Sequence, residues 1–289
     1  MLEKNFYDRV EEPGFLKNIL YGDTDSLFIT IPMKDSDKLS TEEKLKISDK
    51  VSEDINNYVA KYLNEYFLPK SNISPDQNAT YFKSEMLIES IMFLDVKKSY
   101  AYKILAKKGK IFKEPKIKYT GIQVVRSNAA KMTQDLLKEI IEDIILNDQI
   151  STKEKLIRTT SIVNECHQKF LESVDNLDLV DIAIPGKWSK ADQFIGGMSL
   201  YNFIMEKEIF SMGSAGRHIY CIFKNRKVFQ ESKLDMNKIK GIVIPQIYDK
   251  LLLSKKLDQF QIQIDKETQW NTIFSTTVGR IVDLIKSIK

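Results

Sequence analysis

The apolar positions of the chain fall into runs whose period changes along its length, and those changes mark out its elements. Ile19-Leu20-Tyr21 and Leu27-Phe28-Ile29-Thr30-Ile31 are rich in aromatic and β-branched side chains and flank a Gly-Asp step, the pattern of a tight β-hairpin. The residues before it, which include Pro13 and Gly14, have no strong period and predict an irregular or helical lead-in. After a loop over Pro32 to Lys38, Ser40-Thr41-Glu42-Glu43 fits a capping box. Ile47, Val51, Ile55, Val59, Leu63 and Phe67 then recur at helical spacing, predicting a long amphipathic helix packed under a sheet. Pro69 to Gln77 is a polar break. Tyr81 to Lys98 reads as two paired strands, one holding Tyr81, Phe82, Met86, Leu87 and Ile88 and the other Ile91, Met92, Phe93, Leu94 and Val96.

The second half changes character. Ile122 and Val124 alternate at a strand end, and Met132, Leu136, Ile140, Ile141, Ile144 and Ile145 mark a helix ending near Asn147. Another helix is predicted from about Thr152 to Leu177, with Leu156, Ile162, Val163, Phe170 and Leu171 inward. Ile184-Pro185-Gly186-Lys187-Trp188 predicts a turn. So does Gly213-Ser214-Ala215-Gly216-Arg217, which lacks the lysine spacing of a phosphate-binding loop. His218 to Phe223 predicts a strand, and the remainder alternates short strands and helices. The fold class expected is α+β, with an antiparallel sheet and packed helix over residues 1–120 and a mostly helical domain over 121–289.

Composition narrows this picture little. With 43% hydrophobic and 29% charged residues among 289, the chain resembles an ordinary soluble protein. No apolar run approaches a membrane span and the N-terminus lacks a signal-peptide core, so a cytoplasmic protein is expected. The two cysteines, Cys166 and Cys221, form no metal-site spacing or disulfide framework. Cys166-His167 has no partner cluster and reads as buried helix surface. Charge is more informative. Between Lys97 and Lys118 there are nine lysines and one acid, a net +8 within a chain whose total is +4. Tyr100, Tyr102, Phe112 and Tyr119 are interleaved with them, as on a surface that follows a phosphate backbone; a solvated lysine face fits the same pattern.

The candidate chemistry sits at the hairpin. Tyr21-Gly22-Asp23-Thr24-Asp25-Ser26 puts two carboxylates on one turn, and Mg²⁺ prefers one or two carboxylates together with substrate phosphate oxygens. Asp residues also favour turns for purely local reasons. Glu85 and Glu89 lie within apolar material, where an acid is either paired, metal-bound or on the solvent face of an alternating strand.

The hexapeptide resembles motif C of family B DNA polymerases, the palm-domain hairpin with metal-binding aspartates. Phe82-Lys83-Ser84-Glu85 is similar to the family's Phe-x-x-Glu strand segment, and Val96-Lys97-Lys98-Ser99-Tyr100-Ala101 to its Lys-Lys-x-Tyr motif. Val125-Arg126-Ser127 is similar to the passage from palm to thumb. Gly196-Gly197-Met198-Ser199-Leu200-Tyr201-Asn202 resembles a thumb segment of T-even-type phage polymerases. The resemblance implies that Asp25 binds both of two Mg²⁺ ions, with Asp23 contributing less and Glu85 as an accessory carboxylate. It implies that Tyr21, Gly22, Thr24 and Ser26 shape the turn. Lys97, Lys98, Tyr100, Arg126 and Ser127 would hold primer-template DNA, with a deoxynucleoside triphosphate as co-substrate. Ser99 stands where the family usually has a basic residue, so one phosphate contact is expected to be missing or supplied elsewhere.

The resemblance begins in the middle of the polymerase domain. No Asp-x-x-Ser-Leu-Tyr-Pro motif A, no Lys-x-x-x-Asn-Ser-x-Tyr-Gly fingers helix and no exonuclease Asp-x-Glu segment in a suitable context is found. The expectation is a split polymerase: a palm and thumb subunit, inactive alone, whose ions are shared with a second polypeptide carrying motif A, fingers and exonuclease. The alternatives are a non-catalytic palm-thumb module that grips duplex DNA, and a self-sufficient nucleotidyltransferase with Glu85 as third carboxylate. The chain ends Ile285-Lys286-Ser287-Ile288-Lys289, without the aromatic tail through which T-even-type relatives bind a sliding clamp, and clamp contact is left open.

Overall fold

The computed structural model describes residues 18–23, 25–33, 36–147, 149–187 and 192–287. The expected lead-in, Thr24, Trp188, Ile288 and Lys289 lie outside the described residues. The chain divides into two compact units, one comprising residues 1–89 and 104–116 and the other 90–103 and 117–289. The fold is α+β with antiparallel sheets. No helix among the described residues is long and apolar enough to cross a membrane.

In the first unit, β1 (Ile19–Asp23) pairs antiparallel with β2 (Ser26–Ile29), and the register ends on Asp23 opposite Ser26. Helix α1 (Thr41–Tyr62) begins at the expected capping box. The Ser40 backbone N–H donates to Glu43 Oε2 at 2.8 Å and the Glu43 N–H returns to Ser40 Oγ at 3.2 Å. These bonds to the Ser40 backbone and hydroxyl hold the Glu43 carboxyl below its usual range. Leu45 of α1 packs with Leu87, Leu105, Ala106 and Ile111 in a small core.

The expected pair of strands over Tyr81 to Lys98 is instead one strand, β3 (Met86–Phe93), preceded by irregular chain. The cause is competition for backbone groups. Asn56 of α1 takes both backbone groups of Phe82, donating from Nδ2 to its carbonyl at 2.6 Å and accepting its N–H on Oδ1 at 2.6 Å. The Ser52 hydroxyl donates a second bond to the same carbonyl at 3.2 Å. Phe82 is thereby satisfied without a ladder partner.

Strands β3, β4 (Tyr100–Lys107) and β5 (Lys110–Thr120) form a sheet in that order, and each strand contributes residues to both units. Lys108 and Gly109 alone link β4 to β5, with φ of 51° and 74°, the double left-handed step that suits a two-residue hairpin. Pro115, which has no N–H to donate, lies in β5 at the sheet's edge.

The second unit holds the main core. Helix α2 (Lys131–Glu139) runs into a wider π turn over Ile140–Ile145, and α3 (Thr152–Asp175) follows after its Ser151 cap, close to the limits the periodicity predicts. Leu137, Ile140, Ile141 and Phe170 are fully buried there. The expectation of a mostly helical second domain missed a sheet. Ile184 to Lys187, expected as a turn, is β6 (Ile184–Lys187), which pairs with β7 (Ala215–Phe223). As an outer strand β6 tolerates Pro185. The glycine pair Gly196-Gly197 lies inside α4 (Asp192–Met205). A side chain on Gly197 would meet the Gly241 carbonyl at 3.0 Å, so the helix rests directly on β8 (Gly241–Ile244), which pairs with β7. Helix α5 (Lys250–Gln259) leads to β9 (Ile262–Ile264), also paired with β7, and α6 (Lys266–Trp270) and α7 (Thr276–Ser287) complete the unit.

Two buried polar side chains in this unit carry measurable stability. Gln269 is fully buried, accepts the Tyr220 N–H at 3.0 Å and donates to the Ile182 carbonyl at 2.6 Å. Gln269→Leu leaves both backbone groups without that partner and is expected to cost about 2 kcal/mol or more in urea unfolding, since an unsatisfied buried group costs about 1–3 kcal/mol. His218, 2% exposed in β7, has its pKa lowered from 6.5 to about 4 by burial. Its neutral form is favoured in the fold, so the stability it contributes is complete above pH 6.5 and is lost as pH falls toward 4. The linked loss is about 3 kcal/mol, and His218→Asn should flatten the acid limb of a stability-pH curve by about that amount.

Candidate metal and nucleic-acid site

The expected hairpin forms, with Asp23 at the end of β1 and Asp25 in the connection. Asp25 is exposed in the connection between β1 and β2, its N–H donating to the Asp23 carbonyl at 2.6 Å. Asp23 is half-buried at the last paired position, where the Ser26 hydroxyl donates to its carbonyl at 3.1 Å. Tyr21 is half-buried beside Phe28, the ring centres 6.0 Å apart, which ties the turn to the strands below. Two hard oxygen donors on one short turn suit Mg²⁺. Among the described residues no group of three or more His, Cys, Asp or Glu could hold a metal ion, so Asp23, Asp25 and Glu85 do not form a three-carboxylate cage. Glu85 stands just before β3 with its carboxylate 3.8 Å from Lys107 Nζ, and its carbonyl accepts the Lys108 N–H at 2.8 Å. Glu89 is exposed in β3, whereas Leu87 and Met92 are buried.

The Lys-Lys-x-Tyr segment belongs to the second unit. Lys97 and Lys98 are the central residues of a four-residue turn closed by the Ser99 N–H on the Val96 carbonyl at 3.1 Å. Lys98 has a left-handed φ of 59°. Both lysines are exposed, and Tyr100 is half-buried with its ring 5.8 Å from both Phe93 and Tyr102. Ser99 is only 6% exposed, and its hydroxyl donates to the Gly121 carbonyl at 3.3 Å. The same carbonyl accepts Arg126 Nη2 at 2.9 Å, so Arg126 is drawn toward this turn from a segment more than twenty residues on. Ser127 is exposed beside it. Arg126 contacts the Gly121 carbonyl, Lys98, Tyr100 and Ser127 adjoin a residue that contacts it, and Lys97 precedes Lys98 in the same turn.

The aromatic residues interleaved with the lysines are occupied in packing. Burial and a hydrogen bond to Glu142 raise the pKa of Tyr119, and the Phe112 ring lies 4.5 Å beneath Lys116 Nζ. Cys166 is buried, with its thiol pushed up to about 11, and the His167 ring packs on Trp270 at 4.4 Å. Neither is arranged as a nucleophile. Sequence reading overlooked Gly121. Its signal was available as a lone glycine where β5 ends, a place where close backbone approach is common.

A family model described as DNA polymerase family B matches residues 3–194, more than half of the chain. The match contains the hairpin, the lysine turn and Arg126. No curated protein matches the chain.

The Glu85 carboxylate is over half exposed, and its ion pair with Lys107 is screened by solvent. Glu85→Gln is expected to change unfolding stability by less than about 0.5 kcal/mol. A larger loss in urea titration would mean that the carboxylate is held by more than Lys107.

Proposed function

Because the chain belongs to family B of the DNA polymerases, we propose that it supplies the palm (residues 1–120) and thumb (121–289) of a split, T-even-phage-like polymerase. In this reading motif A, fingers and exonuclease come from a second polypeptide. The observation that supports the palm part of this reading is the hairpin register, which ends at Asp23 opposite Ser26 and leaves Asp25 exposed at the tip within the family match.

Members of the family generally use Mg²⁺, and Asp25 with Asp23 would hold it, the remaining ligands coming from the partner chain. When bound, two such ions activate the primer 3′-hydroxyl and neutralise the triphosphate. The Asp25 N–H and the Ser26 hydroxyl both donate to the Asp23 carbonyl, which fixes the backbone that carries the exposed Asp25. Lys97, Lys98, Arg126 and Ser127 donate to the duplex backbone or minor groove, and Tyr100 offers a phenol held by its aromatic neighbours. Minor-groove acceptors occur at every base pair, so such contacts test pair geometry without reading sequence.

A second reading, a non-catalytic palm-thumb module that grips duplex DNA, is favoured by the carboxylate pair lacking a third member among the described residues. The self-sufficient nucleotidyltransferase would require Glu85 to leave Lys107. Mixing the chain with the polypeptide that carries the missing motifs separates these readings. Primer extension with Mg²⁺ should appear only in the mixture. Asp25→Asn should lower it at least about 10²-fold, the size expected for loss of one charge-stabilising group at a reaction centre, while duplex binding stays nearly intact. Extension at the wild-type rate by the Asp25→Asn complex would overturn the catalytic reading, and extension by the purified chain alone would overturn the split.

A further inference from the structure

Resting on the duplex-binding reading above, we propose that the Gly121 carbonyl is the anchor that aims the Lys97-Lys98 turn. Ser99, Gly121, Arg126 and Gln134 are then positioning residues for the DNA grip. Long lysine side chains are only as well directed as the backbone that carries them. Lys98 occupies a left-handed conformation that non-glycine residues adopt sparingly and keep only where neighbours enforce it.

What enforces it is the close approach of Gly121. A Cβ at this position would lie 2.2 Å from the Lys98 carbonyl oxygen and 2.8 Å from Ser99 Oγ, and its φ is +65°, so only glycine fits. Gly121 is itself fixed from behind, because Ile122 is 1% exposed and belongs to the main core. Its carbonyl accepts two donors, Ser99 Oγ from the turn and Arg126 Nη2 from the following segment. The Arg126 carbonyl accepts Gln134 Nε2 at 2.8 Å and the Ala129 N–H at 3.1 Å, which ties the assembly to helix α2. A continuous set of contacts thus runs from buried core through one peptide unit to the two lysines. Arg126 spends one N–H as a brace and keeps the rest of its guanidinium beside the turn.

This assigns a meaning to Ser99. Its slot is closed, and its hydroxyl holds the anchor. A basic side chain here would have to displace that contact, so adding charge at this position weakens the grip.

The test uses the full chain and a fluorescent primer-template duplex, with affinity measured by anisotropy from about 50 to 200 mM salt, where each phosphate contact contributes roughly 0.9 to the slope of log K against log salt. Ser99→Ala removes no charge. It is expected to weaken binding about fivefold, the equivalent of one net hydrogen bond, and to make the slope shallower by roughly one contact. A merely structural role would not move that slope. Gln134→Ala should act in the same direction, Ser99→Thr should restore both readouts, and Ser99→Arg should bind more weakly than wild type. Thermal melts identify any variant that has lost its fold, and Gln134→Ala, altered outside the closed slot, carries the comparison if Ser99→Ala is one of them. Wild-type affinity and slope in both Ser99→Ala and Gln134→Ala, or tighter binding by Ser99→Arg, would overturn the proposal while leaving duplex binding in place. A wild-type chain that binds no duplex at any salt would remove the reading on which it rests.

Discussion

A backbone N–H or C=O taken out of water must find a partner, and much of this structure is the record of how partners were found outside regular ladders. Phe82 is paired by the Asn56 amide, and Tyr220 and Ile182 by Gln269. In each case one polar side chain joins elements that hydrophobic contact alone would leave free to slide. Apolar burial supplies most of the driving force, as the fully buried Leu137, Ile140 and Phe170 indicate. These amides and hydroxyls select which arrangement the burial favours.

The same division explains what could be read from the chain. Elements set by local pattern were legible: the Asp23 and Asp25 hairpin, the Ser40 capping box and the paired helices after Lys131 all agree with period and punctuation. Elements set by distant partners were not. Nothing near Phe82 in sequence announces that Asn56 will consume its hydrogen bonds, and nothing near Pro185 announces that Arg217 will lie opposite it. The sheet of the second unit was therefore missed at β6, although β7 was visible from its own apolar run.

The candidate site follows this logic as well. Asp25 could be found because the turn that exposes it is local. Lys97, Lys98 and Tyr100 could be found because they are contiguous. Their relation to Arg126 could not, since it is made through the carbonyl of a glycine whose importance lies in lacking a side chain. The acidic and basic parts belong to different compact units. Substitutions at Asp23 or Asp25 and at Lys97 or Lys98 therefore fall in separate compact units.

Strand β5 has a consequence for the handling of the protein. Its single proline and its four lysines, Lys110, Lys113, Lys116 and Lys118, occupy what would otherwise be an open template for a second sheet. An identical copy approaching edge-on meets one missing donor and a row of like charge, so self-templated stacking is discouraged. Polyanions meet the opposite field. The pull of such an edge on a polyanion weakens as salt rises, the Debye length falling from about 10 Å at 0.1 M to about 3 Å at 1 M.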